Sequence, residues 1–314
     1  MSGSYTPQQQ TGAAILIFFL ILFTTSAAVL LRAVNNAGLG TQLSSNTVSE
    51  MVTAKQMLLA FSMSYAENFP GSPPGRFPCP DSDNDVNGLP NAPCNANNNP
   101  GRLPIRLDTG NGEPFLFSEH GLLNDQRLWY AVSPIYRQSA TAALNSSTAG
   151  TLTLDGQNDI VAMIVAPGDV LTGQARPNSI ASNYLESTNV AGVSFVSGLP
   201  ANPSAFNDRV LPIYRHEVMT LVTARVVQVI RGRLDTHHPA NGNSYPVDEP
   251  AFQAVITAPP VSWLTTNNWN SVANYVFLNS NSVTLSFDGC DIEYTLTFGS
   301  TDISRSQPSC EVSP

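Results

Sequence analysis

Between residues 12 and 31 the chain carries no charged side chain, and residues 13–23 (AAILIFFLILF) are apolar without a break. The first charge in the sequence is Arg32. An apolar run of about 19 residues is long enough to cross a bilayer as a helix. The roughly 280 residues that follow are therefore expected on one side of a membrane. Three readings of the segment stay open. A secretory signal peptide would use Ser26-Ala27-Ala28 as its cleavage site, but residues 1–11 lack the Lys or Arg of a basic n-region. A plain membrane anchor needs only the apolar run. In the third reading the boundary lies before the run, where the polar leader Gln8-Gln9-Gln10-Thr11-Gly12 meets Ala13-Ala14-Ile15-Leu16.

The polar surface expected for the remainder is low in charge. Charged residues make up 12% of the chain, Lys55 is the only lysine, and the net charge is −9. That balance excludes nucleic-acid binding by a bulk basic surface. A hydrophobic fraction of 42% is enough to bury a core.

Four cysteines fall into two local sets, Cys79 with Cys94 and Cys290 with Cys310. Four allow three connectivities, of which local pairing is the simplest, and disulfides suit an exported domain. Zinc is the rival, but no pair has C-x-x-C spacing. Between the first two cysteines, Asp81, Asp83 and Asp85, followed by Asn87, place oxygen ligands at alternate positions, as calcium loops do. Against an EF-hand, the sixth position is Val86 and the twelfth is Ala92. The other reading is a solvated turn of Asx caps.

Apolar residues at three- and four-residue steps from Val48 to Met63 extend the helical pattern, which stops at Asn68-Phe69-Pro70-Gly71. The spacing predicts one helix over residues 13–68, loosened near 35–41 by two glycines and two asparagines. Residues 127–133 and 159–166 read as strands. Met219, Val222, Val226, Ile230 and Leu234 form an apolar stripe on a helix over residues 213–236. Val283, Leu285 and Phe287 alternate, Asp288-Gly289 is a hairpin turn, and Ile292, Tyr294, Leu296 and Phe298 alternate again.

No catalytic constellation stands out. His216-Glu217 opens like a zinc-protease helix, but the fifth position is Thr220 rather than a second histidine. His237-His238 read as metal ligands or, more simply, as basic groups at a helix end. The sequence has no G-x-S-x-G elbow, phosphate loop or dinucleotide fingerprint.

Several short stretches, in order over most of the chain, carry a resemblance. They are residues 54–61 (AKQMLLAF), 75–81 (GRFPCPD), 128–133 (LWYAVS), 166–168 (APG), 173–176 (GQAR), 207–210 (NDRV) and 263–269 (WLTTNNW). Together with the Gly12 boundary they resemble type IV pilin-like proteins with large periplasmic domains. The resemblance implies an α+β fold, with a long N-terminal hydrophobic helix packed on an antiparallel sheet and a further β-rich C-terminal region. It divides the chain into a leader (1–12), the helix (13–68), a globular α+β region (69–240) and a β-rich region (241–314). It implies cleavage after Gly12 by a prepilin peptidase, leaving Ala13 as a methylated N-terminus. The implied role is that of a minor pilin or pseudopilin, a structural and interaction subunit rather than an enzyme. Its partners would be other pilin subunits and the inner-membrane assembly platform. It would reside in the inner membrane with a periplasmic domain and then in an extracellular filament. Two positions depart from the family: Ile17 stands where major pilins have Glu, and the leader has no basic residue. Without that Glu the subunit cannot pair with a neighbour's buried amine, which predicts a place at a filament tip. The alternative from another class is a membrane-anchored periplasmic binding or hydrolytic domain.

Overall fold

The computed structural model describes residues 45–82, 88–90, 94, 100–107, 115–116, 127–259 and 263–310. Helix α1 (Ser45–Asn68) buries Met51, Ala54, Leu58, Phe61 and Tyr65, a stripe at steps of three and four. Strand β1 (Gly101–Arg102) pairs with β4 (Trp129–Val132), and β2 (Arg106–Leu107) forms a small ribbon with β3 (Phe115–Leu116). Strands β5 (Leu152–Leu154), β6 (Gln157–Ala166), β7 (Ser194–Phe195) and β8 (Arg209–Tyr214) complete a six-stranded sheet with β1 and β4. Its spine is β6. Ala162 pairs with both Val132 and Ile213, and Ile160 with both Leu152 and Tyr214, so β8 lies along one edge and β4 and β5 along the other.

Helix α2 (Arg215–Ala240) follows β8 directly and lies between this sheet and a second one, touching β6, β8 and β11. Its buried side chains include Met219, Val222, Val226, Ile230 and Leu234, the stripe read from the sequence. Three short helices, α3 (Glu249–Thr257), α4 (Trp263–Thr266) and α5 (Trp269–Val272), lead into an antiparallel sheet of β9 (Ala273–Asn279), β10 (Ser282–Phe287), β11 (Cys290–Thr297) and β12 (Ser304–Arg305). The β10–β11 hairpin turns at Asp288-Gly289, where Gly289 has φ +76°. A single apolar core joins Met51 on α1, Val222 on α2 and Leu296 on β11, so the residues on either side of position 240 share it.

This architecture corrects the expected pilin-like α+β fold. Among the described residues the N-terminal helix begins at Ser45, and no helix is long and apolar enough to cross a membrane. Residues 13–44 of the expected helix lie outside the described residues. The first sheet is mixed, because β7 pairs with β5 in parallel. It is also covered on both faces, which makes the fold mixed α/β rather than one long helix on an antiparallel sheet. The physical reason lies in β6. Residues 160–166 are apolar at every position, so a sheet covered on one side would leave half of them in water. Ala162, Ile164 and Ala166 face the core built by α1 and α2. Met163 and Val165 face a second core with Trp129, Tyr184, Leu185 and Phe195. That second face is covered by residues 167–208, an irregular layer with short 3-10 turns at Ala181–Asn183, Ser187–Ala191 and Pro203–Ala205.

The approach of the chain to β6 leaves no room at Gly150. A Cβ there would sit 2.5 Å from both the carbonyl carbon and oxygen of Ile160, and its amide donates to Asp159 Oδ1 at 2.8 Å. Because the obstacle is backbone, a side chain cannot swing away. Gly150→Ala is expected to cost about 2 kcal/mol, as overpacking of a close core contact does. Urea unfolding checks this, and a change under about 0.5 kcal/mol would contradict it.

Candidate functional site

The cysteines pair as the simplest connectivity has it, Cys79–Cys94 with Cα atoms 5.3 Å apart and Cys290–Cys310 at 4.7 Å. Cys79 is fully buried, although the sequence around it reads as a polar loop. Of the calcium-loop residues, Asp81 is buried and ion-paired to Arg127 at 2.7 Å, while Asp83, Asp85 and Asn87 lie outside the described residues. The carboxylate of Asp81 is thereby held by a guanidinium that also donates to Leu103 O. Gly12 and Ala13 likewise lie outside the described residues.

Three of the four histidines, His216, His237 and His238, lie among the described residues. At the fifth position of the zinc-like helix, Thr220 Oγ1 donates to His216 O at 2.6 Å and accepts from Cys310 N at 2.8 Å, which fastens the C-terminal disulfide to α2. Burial lowers the pKa of His216 below its ordinary value. Glu217 pairs with Lys55 at 2.7 Å. His238 stacks on Phe298 with centroids 3.7 Å apart and shares a hydrogen bond with Asn281 at 2.9 Å, whereas His237 bonds Asn241. Among the described residues no three His, Cys, Asp or Glu side chains converge as metal ligands.

Three of the stretches that carry the resemblance, two of them neighbours at 166–168 and 173–176 and the third at 207–210, meet on the outer layer of the first sheet. Arg176 donates to Gly168 O and Asn183 O, each at 2.7 Å, to Tyr184 O at 3.1 Å and to Gln174 Oε1 at 2.9 Å. Gln174 Nε2 passes the chain of bonds to Glu186 Oε1 at 2.9 Å. Glu186 Oε2 accepts from the amides of Asn207 (3.1 Å) and Asp208 (2.9 Å), and Asp208 Oδ2 accepts from the amide of Glu186 (2.8 Å) and from Asn189 Nδ2 (2.9 Å). Gly168 sits against Asn207, whose Oδ1 would be 2.4 Å from a Cβ at that position. Tyr184 anchors the layer from below. Arg102 lies 3.9 Å from its ring and 4.4 Å from that of Trp129, and Arg176 lies 4.5 Å from it. Cations at such distances are attracted by the ring faces.

Sequence reasoning missed this cluster. The resemblance singles out the stretches with Gln174, Arg176 and Asp208 but not Glu186 or Asn189, and no pattern in the sequence says that these residues meet. A second feature is an open polar depression of about 470 Å³ beside β9, lined by Glu249, Gln253, Asn270, Ser271, Asn274 and Tyr275. Comparison with known proteins adds no assignment: no family model matches the chain, and no curated protein or solved structure matches it.

Proposed function

We propose that the chain is an exported, membrane-anchored structural subunit of a type IV pilus or of the related type II secretion filament, a minor pilin or pseudopilin. The observation that carries this reading is the Gly12-Ala13 boundary between a polar leader and an uncharged apolar run of about 19 residues. Two disulfides support an oxidising destination, because such bonds persist outside the cytoplasm. The hydrogen bonds and ion pairs made by the stretches at 54–61, 75–81, 173–176 and 207–210 support a role for those residues in holding a domain together. The reading rests on the N-terminal sequence and on export chemistry, not on a shared fold. With Ile17 in place of a carboxylate, the subunit belongs at a filament tip, where no neighbour's amine needs a counter-charge.

The second reading, an anchored periplasmic binding domain, is favoured by the depression beside β9 with its Glu249, Gln253 and Tyr275 lining. The two readings differ at Gly12. Cleavage after a small residue at the membrane face requires Gly12, so Gly12→Val is expected to leave the polypeptide unprocessed and absent from sheared filaments. If the variant shows wild-type electrophoretic mobility and mature mass, the subunit reading fails.

A further inference from the structure

Glu186 and Asp208 are both buried, and each accepts the backbone amide of the other. They tie the middle of the outer layer to its return to the sheet, since Glu186 immediately precedes the Ser187–Ala191 turn and Asp208 immediately precedes β8. The neighbours that face them bring no net positive charge. Asn189 and Gln174 are neutral donors. Arg176 donates to the carbonyls of Gly168, Asn183 and Tyr184 and to Gln174 Oε1 rather than to either carboxylate, and Arg209 has Asp169 as its electrostatic partner. Lys55, the one lysine, lies on α1 and is paired with Glu217. Two carboxylates buried side by side without a cation cannot both ionise cheaply.

We propose that Glu186 and Asp208 form a proton-operated clamp: while the pair holds one proton the layer of residues 167–208 is closed on the sheet, and loss of that proton loosens it. The geometry has an electrostatic counterpart. The Asp208 carboxyl is raised to about 8, first by burial and then by the adjoining charge of Glu186. Its folded value lies above the ordinary 3.8, so the unfolded chain gives up this proton first. The stabilisation is complete below about pH 4, declines through the interval to about pH 8, and is absent above it.

The amides of Glu186, Asn207 and Asp208 donate into the pair, so their hydrogen exchange reads the clamp directly. In the purified protein, their protection corrected for intrinsic rates is expected to fall by at least about tenfold between about pH 5 and about pH 8.5. Amides of the β10–β11 hairpin serve as the internal control and should not follow. Asp208→Asn imitates the protonated acid and should keep the protection at the higher pH. Glu186→Gln removes the adjoining charge and should move the Asp208 midpoint towards acid. Equal protection of the wild type at both pH values, or an undiminished pH response in Asp208→Asn, would overturn the proposal. Should Asp208→Asn fail to fold, the carbon-13 titration of the Asp208 carboxyl in the wild type decides: a midpoint below about pH 6 overturns the clamp, and one above it supports the clamp.

Discussion

Lys55→Met is expected to destabilise the protein by about 3 kcal/mol, the loss typical when one partner of a buried pair is removed. Lys55 is the only lysine in the chain and is 3% exposed, and its Nζ lies 2.7 Å from Glu217 Oε1 and 2.8 Å from Pro212 O. Three elements meet at that ammonium: α1, which carries it, the end of β8, and the first turn of α2. Methionine keeps the volume but removes the counter-charge of Glu217, whose carboxylate is partly exposed and still accepts the Tyr214 amide at 2.9 Å. Burial pulls the Lys55 pKa below its ordinary 10.5 even though Glu217 pulls it up. The unfolded chain therefore binds that proton more readily, and stability rises with pH through the interval below 10.5. Thermal unfolding should show a midpoint lower by roughly 6–12 °C, on the scaling for domains of this size. Lys55→Met combined with Glu217→Leu should recover part of the loss, because replacing both partners removes the stranded charge. A single-variant midpoint within about 1 °C of wild type would show that the pair does not hold these elements together.

Removing the Cys290–Cys310 bridge is expected to cost more than removing Cys79–Cys94. Their sequence separations of 20 and 15 give similar loop entropies, about 3 kcal/mol each. Context separates them. Both members of the C-terminal pair are buried, Cys310 N is held by Thr220 on α2, and the neighbouring Thr223 shares a 2.7 Å hydrogen bond with Tyr294 on β11. Without the bridge the chain end is free to leave α2, and Ile292, Tyr294 and Leu296 lose part of their cover. Cys79 keeps its place by other means: Phe77 N bonds Tyr136 O at 2.7 Å, and Asp81 exchanges backbone bonds with Arg102. The Cys290→Ser/Cys310→Ser variant should lose about 4 kcal/mol and the Cys79→Ser/Cys94→Ser variant about 2 kcal/mol. Urea unfolding and protease sensitivity of the final hairpin check the order. Equal losses would refute it.

The parts of the fold that were legible are those with a period. The stripe from Met219 to Leu234 announces α2, and the Asp288-Gly289 turn between alternating runs announces β10 and β11. The unbroken apolar run at residues 160–166 marks a strand, but the expectation of one helix on one face overlooked that its lack of alternation calls for cover on both faces. The sequence could not say what covers the second face. The layer over it is short 3-10 turns with no repeat, and its cohesion comes from hydrogen bonds among Gln174, Arg176, Glu186 and Asp208. The partnership of Lys55 and Glu217 spans 162 residues, and that of Asp81 and Arg127 spans 46. Such pairings are products of tertiary folding and leave no local mark. Asp81, which its spacing places in a calcium-like series, is ion-paired to an arginine from beyond that loop.

We propose that the chain is processed at residue 12 and built into a filament. Intact mass and N-terminal sequencing of the protein recovered from membranes and from sheared filaments test it most directly. The expected product begins at Ala13 and carries one methyl group on its amine. A chain that still begins at Met1, or one that begins near Ala28, would contradict it.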